Sequence, residues 1–323
     1  MTSNPSFNAK TTASQAAEAF KDRIKGKYFL ITGSNTGLGK ETARVLAKEG
    51  GIVTILSRSV SKGEEAKEDI LKEHPQAAIN VLQMDLGSLK SVKACAEAYI
   101  ATGQPLHVLI NNAGIMANPY TKTSDGFESQ FGTNHLGHFY LTELLLPLLD
   151  ASGSAQEKSR VVNLSSIANI LLAPPEGILF DDLDGTKHYN EWTRYGQSKL
   201  ANILFTVDFQ KKMVEENRNV GFVTLHPGNI NTNLTQYIDF FTGLNFIYSS
   251  RKSILPKMLS SKTVPEGAAT TVVCALDPKI EFGKYYFDCQ VSNMLHERAM
   301  DEVLAAKLTT VSRQLIESAI SKK

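Results

Sequence analysis

The chain is poor in cysteine, and its three cysteines, Cys95, Cys274 and Cys289, lie far apart with no C-x-x-C pair. That pattern excludes a disulfide framework or a zinc ribbon and suits buried thiols in a reducing compartment. Excess charge is missing too: 34 Lys and Arg stand against 33 Asp and Glu. With so little net charge, no global field attracts nucleic acid or an anionic membrane. No apolar run approaches the ~20 residues that span a bilayer. The first 25 residues lack the apolar core of a secretory signal, and Glu18 and Asp22 speak against a transit peptide. The last three residues, Ser321, Lys322 and Lys323, are not the peroxisomal Ser-Lys-Leu. A cytoplasmic protein without a transmembrane anchor is expected. His135 and His138 lie three apart, but no acidic or thiol cluster joins them, so no metal site is expected.

What is present is alternation. Short β-branched runs at 28–32, 52–57, 79–84, 107–110, 160–165, 220–225 and 284–288 read as strands. Helical patterns fall near 38–49, 61–73, 88–102, 125–149, 192–217 and 266–276. Nearly continuous apolar strands separated by helices predict a parallel sheet covered on both faces. No repeat or linker divides the chain, so it reads as an N-terminal extension, 1–25, and one domain, 26–323. Residues 12–24 of the extension read as a short helix packed outside the sheet. The fold class is α/β: a doubly wound, seven-stranded parallel sheet with helices on both faces.

Two excursions interrupt the rhythm, at about 167–191 and 229–264. Both leave from the carboxyl ends of strands, where open α/β sheets bind ligands. Within the second, the aromatic stretch 237–248 is expected to form an apolar lid. That lid favours an apolar substrate over a charged metabolite.

The motifs point to a dinucleotide. In "ITGSNTGLG", Gly33, Gly37 and Gly39 follow the first strand and open the first helix. Glycine there lets the backbone approach a pyrophosphate, and the free N–H groups of a helix N-terminus favour anions. Ser34, Asn35, Thr36 and Leu38, between the glycines, join the expected cofactor contacts. An acid about 20 residues beyond the glycines would hold an NAD ribose. Here Ser57 and Arg58 end the second strand instead, and Arg58 is placed to pair with the 2′-phosphate of NADP. Asp85 and Leu86 end the third strand, where an adenine would lie. Asn112, Ala113 and Gly114 end the fourth, where small residues admit a cofactor.

Tyr195 and Lys199 lie one helical turn apart and share a face. Alone this pair is commonplace; in order with the other motifs it carries weight. The stretches "GSNTGLGKETA", "NNAGIM", "TNHLGHFYLT", "VVNLSS" and "YGQSKLANILF" resemble the short-chain dehydrogenase/reductase family over about residues 26–290. They are most similar to its retinol-dehydrogenase-like and WW-domain-oxidoreductase-like branch. The resemblance implies a Rossmann fold and a catalytic tetrad of Asn134, Ser166, Tyr195 and Lys199. It also implies nicotinamide contacts at Pro227, Gly228, Ile230 and Thr232 in "HPGNINT". By the same pattern, Tyr195 exchanges the proton, Ser166 holds the carbonyl oxygen, and Lys199 lowers the phenol's pKa and binds the ribose. Asn134 is expected to hold a relay water.

The expectation is an NADP(H)-dependent oxidoreductase working between an apolar aldehyde or ketone and its alcohol, in the direction of a carbonyl reductase. Secondary metabolism is one setting for it, and a homo-oligomer is admitted. The competing reading is a non-catalytic NADP(H)-binding regulator, which would need no complete tetrad. A serine hydrolase is excluded because Leu200 stands where a nucleophile elbow needs its second glycine.

Overall fold

The computed structural model describes residues 7–230 and 261–322. Two short helices, α1 (Ala13–Ala19) and α2 (Lys21–Ile24), precede β1 (Tyr28–Thr32), α3 (Gly37–Lys48), β2 (Ile52–Ser57) and α4 (Val60–Glu73). Then come β3 (Ala78–Gln83), α5 (Leu89–Ala101), β4 (Val108–Asn111) and α6 (Ser129–Phe131). A π-turn at Gly132–Leu136 leads into α7 (Gly137–Ser152). Next are β5 (Ser159–Leu164), α8 (Ala168–Leu171), α9 (Glu191–Glu215), β6 (Val220–His226), β7 (Asn229–Ile230) and β8 (Ser261–Lys262). The described chain closes with α10 (Val264–Leu276), β9 (Tyr285–Phe287), β10 (Gln290–Val291) and α11 (Glu302–Ser321).

The main sheet runs β10-β9-β6-β5-β4-β1-β2-β3. Successive side chains along a strand face opposite sides, and the sequence supplies an apolar residue for each. In β1, Leu30 packs among α5, α7, α9 and α11, while Phe29 and Ile31 pack among α1, α3, α4 and α10. Two apolar layers therefore cover the sheet. At ~25 cal/mol per Å² of apolar surface removed from water, these layers are the main stabilising term. The extension's helix α1 lies against α10 on one outer layer, as its pattern predicts.

Three features depart from the sequence reading. Seven strands are parallel, but an eighth, β10, pairs antiparallel with β9 (Gln290 with Phe287, Val291 with Tyr286). Its turn forces Asp288 and Cys289 to φ 53° and 65°, the left-handed geometry of a two-residue hairpin. The helix expected over 125–149 starts later, at Ser129, where the Glu128 carboxylate accepts from the Gln130 and Phe131 N–H groups, both at 2.8 Å. Finally, α11 was not foreseen. Asp301 caps it, and Leu304, Leu308, Ser312 and Ile316 bury one face.

Strand order reverses between β1 and β4, with β2 and β3 beyond one and β5 and β6 beyond the other. The carboxyl ends of β1 and β4 thus border the crevice where such sheets take ligands.

Candidate active site

The glycine turn is shaped by close approach. Gly33 has φ 61° and Gly37 φ 56°. A Cβ on Gly33 would stand 2.8 Å from that of Ala113, and one on Gly39 only 2.6 Å from Asn112 Nδ2 and the Gly33 carbonyl. The first turn of α3 has no acid, and Thr36 gives it no side-chain cap. Its N–H groups are left for a ligand, and the helix dipole makes them attractive to an anion. This is the fit a pyrophosphate needs. Ser34 differs from its neighbours: buried, its hydroxyl donates to the Ile31 carbonyl at 2.7 Å and so shapes the turn from inside. Leu38 packs toward α10, against Gly267.

Ser57 is buried at the end of β2, and Arg58 is exposed beside it. Among the described residues Arg58 forms no ion pair, so its guanidinium is free to meet a phosphate. Asp85 spends one carboxylate oxygen on the Gly87 N–H (2.9 Å), and the Leu86 backbone presses against Gly137 at the start of α7. Asn112 binds the end of β4 to the end of β1. Its Nδ2 donates to the Thr32 carbonyl at 2.8 Å, while Asn112 N–H and Ala113 N–H both donate to Thr32 Oγ1 at 2.9 Å.

The four tetrad positions converge from three elements. Asn134 sits in the π-turn, Ser166 follows β5, and Tyr195 and Lys199 share α9. A Cβ on Gly114 would lie 3.3 Å from both Asn134 Oδ1 and Lys199 Nζ. Glycine therefore keeps that space open. Lys199 Nζ donates to the Leu164 carbonyl at 3.3 Å and lies 5.7 Å from the Tyr195 ring centre. Asn134 Oδ1 accepts from the Ile115 N–H at 2.8 Å, and its Nδ2 donates to the Ile115 carbonyl and to Ser198 Oγ, both at 2.9 Å. The amide thus pins the loop after β4 to α9 before any water is considered.

Burial dominates the titration of the pair. It pushes the Tyr195 phenol up to about 12, with the Ser166 hydrogen bond pulling the other way. It pushes Lys199 down to about 8. The expected lowering of the phenol by Lys199 is absent in this state, because both groups are desolvated and neither gains enough from the other.

Around Tyr195 lies an apolar wall of Ala168, Leu171, Leu172, Met116, Ile167 and Trp192. Most of it comes from the first excursion, whose fixing residues escaped the sequence reading. Arg194, 1% exposed, donates Nη2 to Asp182 Oδ2 at 2.5 Å and to the His188 carbonyl at 2.6 Å. Its Nη1 donates to the Asp182 carbonyl at 2.6 Å. The acidic run "FDDLDG" was the available signal, but its partner lies in the helix that follows.

Of the "HPGNINT" segment, Gly228 has φ 103°, and a Cβ there would stand 2.6 Å from Lys262 Cδ. Pro227 is half-buried, and Ile230 pairs with Lys262 in the small β7–β8 sheet. Thr232 and the aromatic stretch 237–248 lie outside the described residues. No group of three or more His, Cys, Asp or Glu among the described residues could hold a metal ion.

Fold and site together define a dinucleotide-dependent oxidoreductase of the Rossmann type. Residues 27–175 match the short chain dehydrogenase family. The chain is 41% identical over 311 residues to "Short-chain dehydrogenase TIC 32 A, chloroplastic" of Brassica napus, covering 95% of this chain and 94% of that one. It is 42% identical over 298 residues to Retinol dehydrogenase 12 of Mus musculus, covering 91% and 87%. Among solved structures, an uncharacterized protein from Mycobacterium Paratuberculosis superposes with a TM-score of 0.70 at 33% identity, covering 91% of this chain and 94% of that one. The Pseudomonas aeruginosa RhlG/NADP active-site complex, at 22% identity, shares the fold with a TM-score of 0.60, covering 82% and 96%. This chain belongs to the short-chain dehydrogenase/reductase family, in its retinol-dehydrogenase-like branch.

Proposed function

We propose that this oxidoreductase is an NADP(H)-dependent carbonyl reductase acting on an apolar aldehyde or ketone. The carrying observation is the convergence of Tyr195, Ser166, Lys199 and Asn134 beside the glycine cradle, under an apolar wall. The N-terminus of α3 would hold the pyrophosphate, Arg58 the 2′-phosphate, and Lys199 the ribose hydroxyls. The bound nicotinamide supplies a hydride. Every other task belongs to the chain. Ser166 hydrogen-bonds the carbonyl oxygen where negative charge develops. Tyr195 donates its proton to that oxygen. A phenol held near 12 keeps its proton at neutral pH and so is available as the acid of the reductive step. Lys199, held near 8, then sits within reach of protonation equilibrium and returns the proton through the site.

Arg58, exposed and free of an ion pair among the described residues, supports NADP over NAD, since no carboxylate stands there to repel a phosphate. A cytoplasmic location and a homo-oligomer belong to the same proposal. No helix among the described residues is long and apolar enough to cross a membrane. A fluorescent fusion that accumulates in plastids, the compartment named for the Brassica relative, would overturn the cytoplasmic assignment. The activity itself is tested by following NADPH oxidation over a panel of alkyl and aryl aldehydes and ketones. Turnover of apolar members is expected, and a protein that binds NADPH but turns over none of them would be the regulator instead.

A further inference from the structure

A buried imidazole joins the two halves of the site. We propose that His138 is a positioning residue for the reaction above: it locks the ends of β1 and β4 to the π-turn that presents Asn134. The inference rests on that reading of the site. His138 Nδ1 lies 3.0 Å from the Asn134 carbonyl, and Nε2 lies 2.8 Å from Thr32 Oγ1.

The tautomer follows from the partners. A carbonyl can only accept, so Nδ1 carries the proton and Nε2 is bare. The Thr32 hydroxyl must therefore donate to Nε2. Its oxygen then accepts from the Asn112 and Ala113 N–H groups, both at 2.9 Å. Each polar atom in the chain is used, with no water needed. A second proton on the ring would aim another donor at an oxygen that already takes two, and the link would break. Burial favours the neutral ring this network requires.

The neighbouring histidine provides a contrast. His135 turns the other way, to Ser312 Oγ on α11 at 2.9 Å, and packs among Phe131, Phe139 and Phe205. Of the two, only His138 reaches the strand ends that border the cofactor crevice, through Thr32. It is a bridge between cofactor loop and candidate tetrad.

The test uses the full chain with NADPH. Trp192 is its single tryptophan and packs against the apolar cluster that holds Tyr195, so its fluorescence is expected to change when the cofactor binds. Thr32→Val, which removes all three hydrogen bonds of the hydroxyl, and His138→Phe, which removes both ring bonds, are each expected to weaken NADPH by at least about ten-fold. The double variant should lose no more than the worse single, because both break one chain. Thr32→Ser, which keeps the hydroxyl, should restore binding relative to Thr32→Val. Imidazole nitrogen NMR of the unaltered protein should show Nδ1 protonated and Nε2 bare, with the Nε2 resonance moving in Thr32→Val. If His138→Phe does not fold, the two Thr32 variants and the spectrum still decide. Additive losses, unchanged binding in both single variants, or a proton on Nε2 would overturn the proposal while leaving the proposed function standing. Failure of the unaltered protein to bind NADPH would overturn both.

Discussion

Arg194 grips Asp182 from the position immediately before Tyr195 on the same helix. The wall beside the candidate proton donor is thereby tied to the helix that carries the donor. Arg194→Met would leave the half-buried Asp182 carboxylate to the Lys187 and His188 N–H groups alone, and the loss of a charge-assisted hydrogen bond costs about 1.5–3 kcal/mol. Arg194→Lys would keep the charge but lose the planar fork that serves three acceptors. Both should lower the unfolding midpoint, Met more than Lys. Limited proteolysis should cut faster within 167–191. Unchanged cutting would mean that the excursion is held by its apolar contacts alone.

Cofactor choice is predicted to rest on Arg58. Arg58→Ala should weaken NADPH by about 10- to 100-fold, the scale of one charged hydrogen bond, and leave NADH nearly unchanged. Paired titrations of the two cofactors on both proteins measure this directly. Equal affinity for NADPH and NADH in the unaltered protein would remove Arg58 from the phosphate site.

Acid should unfold the protein earlier than its carboxylates alone would. Burial depresses His135 to about 3, His138 to about 4 and His226 to about 3. Unfolded, each would titrate near ~6.5. Between those values the unfolded chain binds more protons than the folded one, so stability is complete above about 6.5 and falls as pH drops below it. Each histidine contributes up to about 1.4 kcal/mol per pH unit in that window. Urea midpoints measured from near neutral to about pH 5 should fall, and His135→Phe should flatten the slope by about one third of this histidine contribution. A midpoint independent of pH over that range would contradict these burials.

Much of the fold was legible because it is periodic. β1, the glycine turn and α3 were readable from an apolar run followed by glycines at fixed spacing, and Tyr195 and Lys199 from the helical turn between them. Asn134 was legible as a position, but its π-turn was not, since an i to i+5 hydrogen bond leaves no mark in residue spacing. Strand β10 is only two residues long, too short to show alternation. Helix α11 could have been found: the Asp301 cap and the spacing of Leu304, Leu308 and Ser312 are plain signals. The Arg194–Asp182 tie and the Thr32–His138 bridge join segments by contacts that no local pattern encodes. The direction of the Tyr195 shift also needed the structure, because burial, absent from a sequence, outweighs the neighbouring lysine.

The central claim is that Tyr195 is the proton donor, and Tyr195→Phe tests it most directly. The change removes one hydroxyl from a buried ring, so the fold and NADPH affinity should survive. Turnover of an aldehyde confirmed as a substrate should fall about 10²–10⁴-fold, the usual worth of a positioned acid. Lys199→Met, by contrast, should damage both turnover and NADPH affinity. Measured as kcat beside NADPH affinity in the same preparation, a large loss of the first with the second intact is the predicted result. A Tyr195→Phe protein that keeps most of its kcat would contradict the account.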